Sequence, residues 1–279
     1  MGLQLAGHAI EAISVGGIET CIQLPGWKLC FDIGRCPPDA VRRERVLLTH
    51  AHIDHAGGLA THAAMRDLLG MSPPTWYVPR ANAPDIEALL AVWRRLDHAE
   101  LRANVVPCDP GDRLELARDR VAIPFRVPHR VLSQGYALVE RRTRLRPEFA
   151  SASREELRLL RARGETLGAA EDVVEVAFCG DTRPEVLDRE PLVHAARLLI
   201  LECTFLDDRV PPALAHAKGH VHLEDLVERA DLLRNEAILL THMSARYDDA
   251  TILRRLDARL PPDLRARVTP LLRGPRDDS

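Results

Sequence analysis

Residues 49–55 read Thr-His-Ala-His-Ile-Asp-His, which places three imidazoles and a carboxylate (His50, His52, Asp54 and His55) within six residues. Neutral imidazole and carboxylate together suit a borderline divalent ion such as zinc. Alternate side chains on extended backbone point the same way, so His50 and His52 can share one ion. Asp54 and His55 lie beyond the turn and can reach a second. The plain alternative is a histidine-rich surface loop. Against it stands the apolar run Val46-Leu47-Leu48 just upstream, the pattern of a buried strand delivering ligands at its tip.

Two ions need more ligands than this cluster holds, and single candidates recur after other apolar strands. His129 follows Val121–Val127 and Pro128, Asp181 follows Val-Ala-Phe-Cys-Gly, and His242 follows Ala-Ile-Leu-Leu-Thr. Each alone reads as an ordinary loop or turn residue. The set of seven in this order reads as a metal centre. Glu202 ends the strand Leu198–Leu201, an expensive place for an unpaired carboxylate, and a histidine partner would solve that problem. Ser133, in Ser-Gln-Gly, and Thr182 could present hydroxyl or backbone groups to a phosphate, or simply shape their turns.

The elements that must position these residues follow from the hydrophobic pattern. Strands are expected at Ala12–Val15, Thr20–Leu24, Lys28–Ile33, Val46–Thr49, Trp76–Val78, 113–116, 120–127, 135–140, 173–179, 197–202 and 237–241. Helical periodicity spans Leu59–Leu69, 84–98, 153–163, 222–234 and a segment from about 248. In the 84–98 helix, Ile86, Leu89, Leu90, Trp93 and Leu96 share one face and read as core. Ser153 and Glu156 are spaced as a capping box. Hairpins leading into strand–helix units in each half predict an α/β fold with sheets packed face to face and helices outside. No linker rich in Gly, Ser or Pro divides the chain, so one domain over residues 1–279 is expected.

At 279 residues and 46% hydrophobic content, the chain can bury a substantial core and is not disordered as a whole. A net charge of −3 gives no global sign of nucleic-acid binding. Only Lys28 and Lys218 are lysines among the 38 basic residues, a bias read as genomic composition. The six cysteines (21, 30, 36, 108, 179 and 203) form no Cys-x-x-Cys pair and read as buried free thiols. With no signal-like N-terminus and no apolar run of membrane-spanning length, a cytoplasmic, soluble protein is expected.

The strings THAHIDH, PHRVLSQGY, FCGDTRP, LECTFLDD, GHVHLEDL and LLTHMSARY together resemble the metallo-β-lactamase fold, specifically its ribonuclease Z branch, in the short form of plants and some bacteria. The resemblance runs from about residue 28 to about 272. It implies a four-layer αββα sandwich and an endoribonuclease that cuts the 3′ trailer from precursor tRNA. One zinc would take His50, His52 and His129, the other Asp54, His55 and His242, with Asp181 bridging; manganese or iron are the substitutes to consider. Lactam hydrolases of the fold commonly place a cysteine where Asp181 stands, and a carboxylate there favours a close metal pair and phosphoester chemistry. Asp54 would orient the attacking water or accept its proton.

In that family the glutamate of a His-Glu-Ala-Thr motif orients a downstream histidine that acts as general acid. Here the motif reads Leu201-Glu202-Cys203-Thr204, and the acid maps to His220, with His222 as the near alternative and His216 as a surface residue. The family's tRNA-gripping arm corresponds to residues 141–165, an insertion with eight arginines against four glutamates. Such an excess could hold phosphates, or could be a solvated helix laced with i,i+4 pairs. The Gly-Pro-rich stem of the long arm is missing. A homodimer is expected by resemblance. Two other readings remain: a phosphodiesterase for small or cyclic substrates, and a catalytically silent RNA-binding scaffold.

Overall fold

The computed structural model describes residues 2–273. Strands β1 (Gly2–Leu5), β2 (His8–Val15), β3 (Glu19–Leu24), β4 (Leu29–Phe31), β5 (Arg45–Leu47), β6 (Thr75–Pro79) and β7 (Asn104–Cys108) make one sheet in sequence order. A second sheet holds β8 (Leu114–Ala117), β9 (Arg120–Arg126), β10 (Gln134–Leu145), β11 (Gly168–Phe178), β12 (Leu198–Glu202), β13 (Ala237–Thr241) and β14 (Val268–Pro270), again in order. Each sheet begins with three antiparallel pairings and finishes with three parallel ones. The two halves therefore repeat one topology, as the order of hairpins and strand–helix units predicts.

Side-chain alternation on the strands fixes the layers. Phe31 and Leu47 face inward with Phe178, Leu198, Ile200 and Leu239, and these form the core between the sheets. Their neighbours Cys30, Val46 and Leu48 face outward onto helices α1 (Ile53–Ala56), α2 (Leu59–Leu68) and α3 (Ala83–Asp97), where Leu59, Ala63, Ile86 and Leu90 cover them. On the other side Leu199, Leu201, Ile238 and Leu240 meet a second outer layer. After α4 (Arg154–Ala162), that layer is built by α5 (Val186–Arg189), α6 (Pro191–Ala195), α7 (Pro212–Lys218), α8 (Leu223–Glu228), α9 (Asp249–Arg259) and α10 (Pro262–Arg265). Three apolar interfaces between four layers give the αββα sandwich. All six cysteines are buried and free, as their apolar surroundings predict.

The structure departs from the sequence pattern in four places. Strands β10 and β11 run on to Leu145 and back from Gly168 as one long hairpin whose outer half is exposed. With neither face buried, that half carries no alternation to read. Helix α8 stops at Glu228, well short of 234; residues 229–232 continue as turns and 233–234 carry no helix. The edge strands β1, β7 and β14 escaped the pattern, and the last two include a proline, which edges tolerate. Helix α3 buries Ile86 and Leu90 but leaves Leu89, Trp93 and Leu96 at 53%, 45% and 66% exposure, so its apolar face is wider than the core it covers.

Candidate metal centre and its proton donor

Backbone strand ends bring the seven predicted ligands to one edge of the sandwich. His50 and His52 follow β5, and Asp54 and His55 sit in the single turn of α1. His129, Asp181 and His242 lie beyond β9, β11 and β13. Their donor atoms fall into two groups, each within 4.8 Å: His50, His52, His129 and Asp181 in one, and Asp54, His55 and His242 in the other. Asp181 faces both groups. Its Oδ2 is 3.8 Å from His50 Nε2, while its Oδ1 is 3.3 Å from both His55 Nε2 and His242 Nε2. Asp54 Oδ2 lies 3.7 Å from His55 Nε2 and 3.5 Å from His242 Nε2.

The hydrogen bonds behind the rings show which nitrogens face the centre. His55 Nδ1 is 2.7 Å from Asp32 Oδ2, His129 Nδ1 is 2.9 Å from the Gly219 carbonyl, and His242 Nδ1 is 3.0 Å from the Thr204 hydroxyl. With Nδ1 held in this way, each ring turns its Nε2 inward. Those three Nε2 atoms and Asp181 Oδ1 are buried and have no hydrogen-bond partner. Buried polar atoms are rarely left unsatisfied. Four together, all of types that bind divalent cations, fit a metal site.

The charges agree. Burial holds His50 well below the usual imidazole range and lowers His52 and His129 as well, so these rings are neutral and available as ligands. Burial would lower His55 too, but the carboxylates of Asp181 and Asp32 outweigh it and raise it well above its usual range. Burial raises Asp181 and Asp54, yet neighbouring histidines prevail, holding Asp181 well below the carboxylate range and Asp54 at about 2. The site thus keeps its carboxylates ionised and calls for positive charge between them.

Backbone constraints position these groups. Asp32 and His242 both adopt left-handed backbone, with φ of 54° and 60°, an uncommon conformation for such residues that the surroundings must hold in place. Gly219, with φ 89°, leaves room for His129: a Cβ there would lie 2.7 Å from His129 Nδ1. Behind the cluster, the Tyr136 hydroxyl donates to the Leu48 carbonyl and the Gln134 backbone N–H to that of Thr49, tying the second sheet to the loop that carries His50.

Beside the metal donors, Glu202 is 1% exposed and fully engaged. Its Oε1 accepts from the Thr182 N–H and lies 2.9 Å from His220 Nδ1, while Oε2 accepts from the Thr204 N–H and hydroxyl. The histidine partner that burial demanded is therefore His220. Burial lowers His220, but the Glu202 carboxylate overrides it and pushes the ring up to about 9. Its ring stands 5.5 Å from that of His129 and 5.4 Å from that of His242. His222 instead caps α8, its Nδ1 accepting from the Glu224 N–H. His216, read as a surface residue, is only half-buried and is tethered to Asp225 at 2.9 Å. Thr182 is fully buried; its hydroxyl donates to the Arg183 carbonyl and its N–H holds Glu202, so its donors serve the protein rather than a phosphate. Ser133 is buried with an unpartnered hydroxyl.

Asp32 was missed by the sequence reading. The signal was available: a carboxylate directly after the apolar run Leu29–Phe31 raises the same question of a partner as Glu202 does.

Residues 34–243 match the family model of the beta-lactamase superfamily domain. The chain is 38% identical over 274 residues to tRNase Z TRZ1 of Arabidopsis thaliana, covering 98% of both chains. It is also 38% identical to that plant's chloroplastic tRNase Z TRZ2, covering 98% of this chain and 77% of the relative. Among solved structures, the short form of human tRNase Z superposes with a TM-score of 0.59 at 19% identity, covering 94% of this chain and 96% of that one. The metallo-beta-lactamase fold protein YhfI of Bacillus subtilis gives 0.63 at 14%, covering 94% and 95%. The structural likenesses speak for the fold, and the end-to-end identity to a plant relative goes further: this chain belongs to the tRNase Z family within the beta-lactamase superfamily.

Proposed function

We propose that the chain is a metal-dependent endoribonuclease that removes the 3′ trailer of precursor tRNA, leaving a 3′-hydroxyl on the tRNA. The observation that carries the chemistry is the Glu202–His220 pair beside seven convergent metal donors. The substrate is drawn from the relatives named tRNase Z. His50, His52 and His129 would hold one zinc ion and Asp54, His55 and His242 the other, with Asp181 between them. When bound, such a pair supplies a water of lowered pKa and positive charge for the phosphate oxygens.

The chain's own residues do the rest. Asp54, ionised, orients the attacking water by accepting its hydrogen bond. His220 donates Nδ1–H to Glu202 Oε1 and keeps Nε2–H for the departing 3′ oxygen; its raised basicity keeps it protonated at neutral pH.

The insertion supports RNA more narrowly than its arginine count suggests. Arg141, Arg142, Arg144 and Arg146 pair with Asp172, Glu175, Glu171 and Glu148, three of which lie outside 141–165. Arg154, Arg158, Arg161 and Arg163, on or just after α4, are exposed and, among the described residues, pair with no carboxylate. These four are the ones we assign to the tRNA backbone, a contact that weakens steeply with salt. Homodimeric assembly and a cytoplasmic location belong to the same reading; no described helix is long and apolar enough to cross a membrane.

The test is cleavage of a precursor tRNA alongside bis(p-nitrophenyl) phosphate by the zinc-loaded protein. A single cut at the trailer supports the reading. Ester turnover without RNA cleavage would favour a small-phosphodiester substrate, and neither activity in metal-replete protein would leave an RNA-binding scaffold.

A further inference from the structure

Three cations from separate segments meet at the turn that carries the proton donor. Helix α7 ends there: the Gly219 N–H donates to the His216 carbonyl, and the His220 N–H to that of Ala215. Arg183, half-buried, donates its Nε–H to the same His216 carbonyl at 2.9 Å. The Gly219 carbonyl faces His129 Nδ1, also at 2.9 Å. Arg130, the next residue along, lays its stem across this turn: its Cγ is 3.1 Å from where a Cβ on Gly219 would stand. Lys218 lies in the turn itself, at the last position of α7. Arg130 and Lys218 are exposed, and among the described residues none of the three cations pairs with a carboxylate.

Two structural explanations fall short. Basic side chains favour helix C-termini, where carbonyls lack partners. Here the carbonyls of Ala215, His216 and Gly219 are already taken, so Arg130 and Lys218 are surplus to the cap. The neighbouring carboxylates are also spent, Asp225 on His216 and Glu202 on His220. Like charges gathered without a counter-charge repel, and the gathering calls for an anion. A phosphodiester suits a guanidinium and an ammonium alike.

His220 fixes which phosphate. Its Nε2–H serves the departing 3′ oxygen, so the ribose that bears this oxygen lies on the His220 side. From that ribose the tRNA strand continues through its own 5′ phosphate. We propose that Arg130 and Lys218 grip the phosphate one nucleotide 5′ of the cut, with Arg183 bracing the turn between them. The inference rests on the RNA-cleaving reading above and deepens it. Both are positioning residues: they touch no reacting atom, but they hold the leaving oxygen against His220.

The test uses precursor tRNAs carrying one uncharged methylphosphonate linkage, placed one nucleotide 5′ or one nucleotide 3′ of the scissile bond. The readout is the ratio of kcat/KM between the native and the neutralised substrate, so a general loss of activity cancels. In the wild type the 5′ substitution should cost about tenfold, the scale of one hydrogen bond to a charged group, and the 3′ substitution much less. The double variant Arg130→Ala/Lys218→Ala should lose about as much on native RNA, chiefly through KM, and lose little more when the 5′ linkage is neutral. Its kcat/KM should also fall less steeply with salt, by about one logarithmic unit of slope per contact removed. Arg130→Lys, which keeps the charge, should retain the sensitivity to the 5′ linkage. A ratio unchanged between wild type and double variant, with trailer cleavage intact, would overturn the phosphate grip alone. So would a wild type sensitive only to the 3′ linkage. Metal-replete protein that cuts no RNA would overturn the tRNA reading and the grip with it.

Discussion

The two halves of the molecule share a strand topology but supply the centre differently. The first delivers four donors, His50 to His55, from one loop after β5. The second sends His129, Asp181 and His242 singly from three strand ends, together with the Glu202–His220 pair. Neither donor group belongs to one half: His129 joins His50 and His52, and His242 joins Asp54 and His55. The compact loop sets the spacing within each group, while the scattered tips close the groups and add proton chemistry.

Experiments can break or sharpen this contrast. The largest effect is expected for Asp181→Ala, since one carboxylate serves both groups. Metal content measured by plasma mass spectrometry should fall for both ions, with cleavage reduced beyond the hundredfold, roughly, that loss of an outer-shell partner costs. Retention of both ions would remove Asp181 from the bridging position. Next come Glu202→Ala and His220→Ala, which should each slow cleavage by about 10²–10⁴-fold with metal content intact. Loss of metal in either would make that residue a support of the centre.

Smaller and more local effects should separate the two groups. Gly219→Ala crowds His129 and should weaken the first group, while Asp32→Asn releases His55 and should weaken the second, each by about 10–100-fold in metal affinity. Competition with a chromogenic chelator would show one ion lost early and one retained in each variant; identical losses would mean the groups are not separable. The smallest change is in pH dependence. His220 works protonated and its pKa is raised to about 9 by Glu202, so activity should persist below that value and fall as pH rises through it. Glu202→Gln removes the charge that holds the proton, and the basic limb should move to lower pH. An unmoved limb would assign it to another group.

The same contrast explains what the sequence disclosed. The His50–His55 loop stands out because its donors are adjacent in the chain. The single donors were legible only because each follows a buried strand, and Glu202 because burial makes an unpaired carboxylate costly. Asp32 obeyed that last rule yet was passed over, since its partners Thr49 and His55 are held by the fold rather than by nearby sequence. The capping box at Ser153 and Glu156 formed as spaced, being wholly local. Local pattern did not reach the outer half of the β10–β11 hairpin, where the backbone ladder continues without burial and the exposed pairs of Arg141 and Arg144 with Asp172 and Glu171 only decorate it. Nor did it reveal that α3 exposes Trp93 and Leu96, because periodicity marks a face without saying whether anything covers it.

The tie from Tyr136 to Leu48 and from Gln134 to Thr49 has a mechanical consequence. With each cation gripped by side chains from opposite slabs, the pair would act as rivets through the seam, and this stitching would keep the seam aligned before any cation arrives. Occupancy would then draw on the cohesion of the entire sandwich, so that chelators and heat should weaken the same joint.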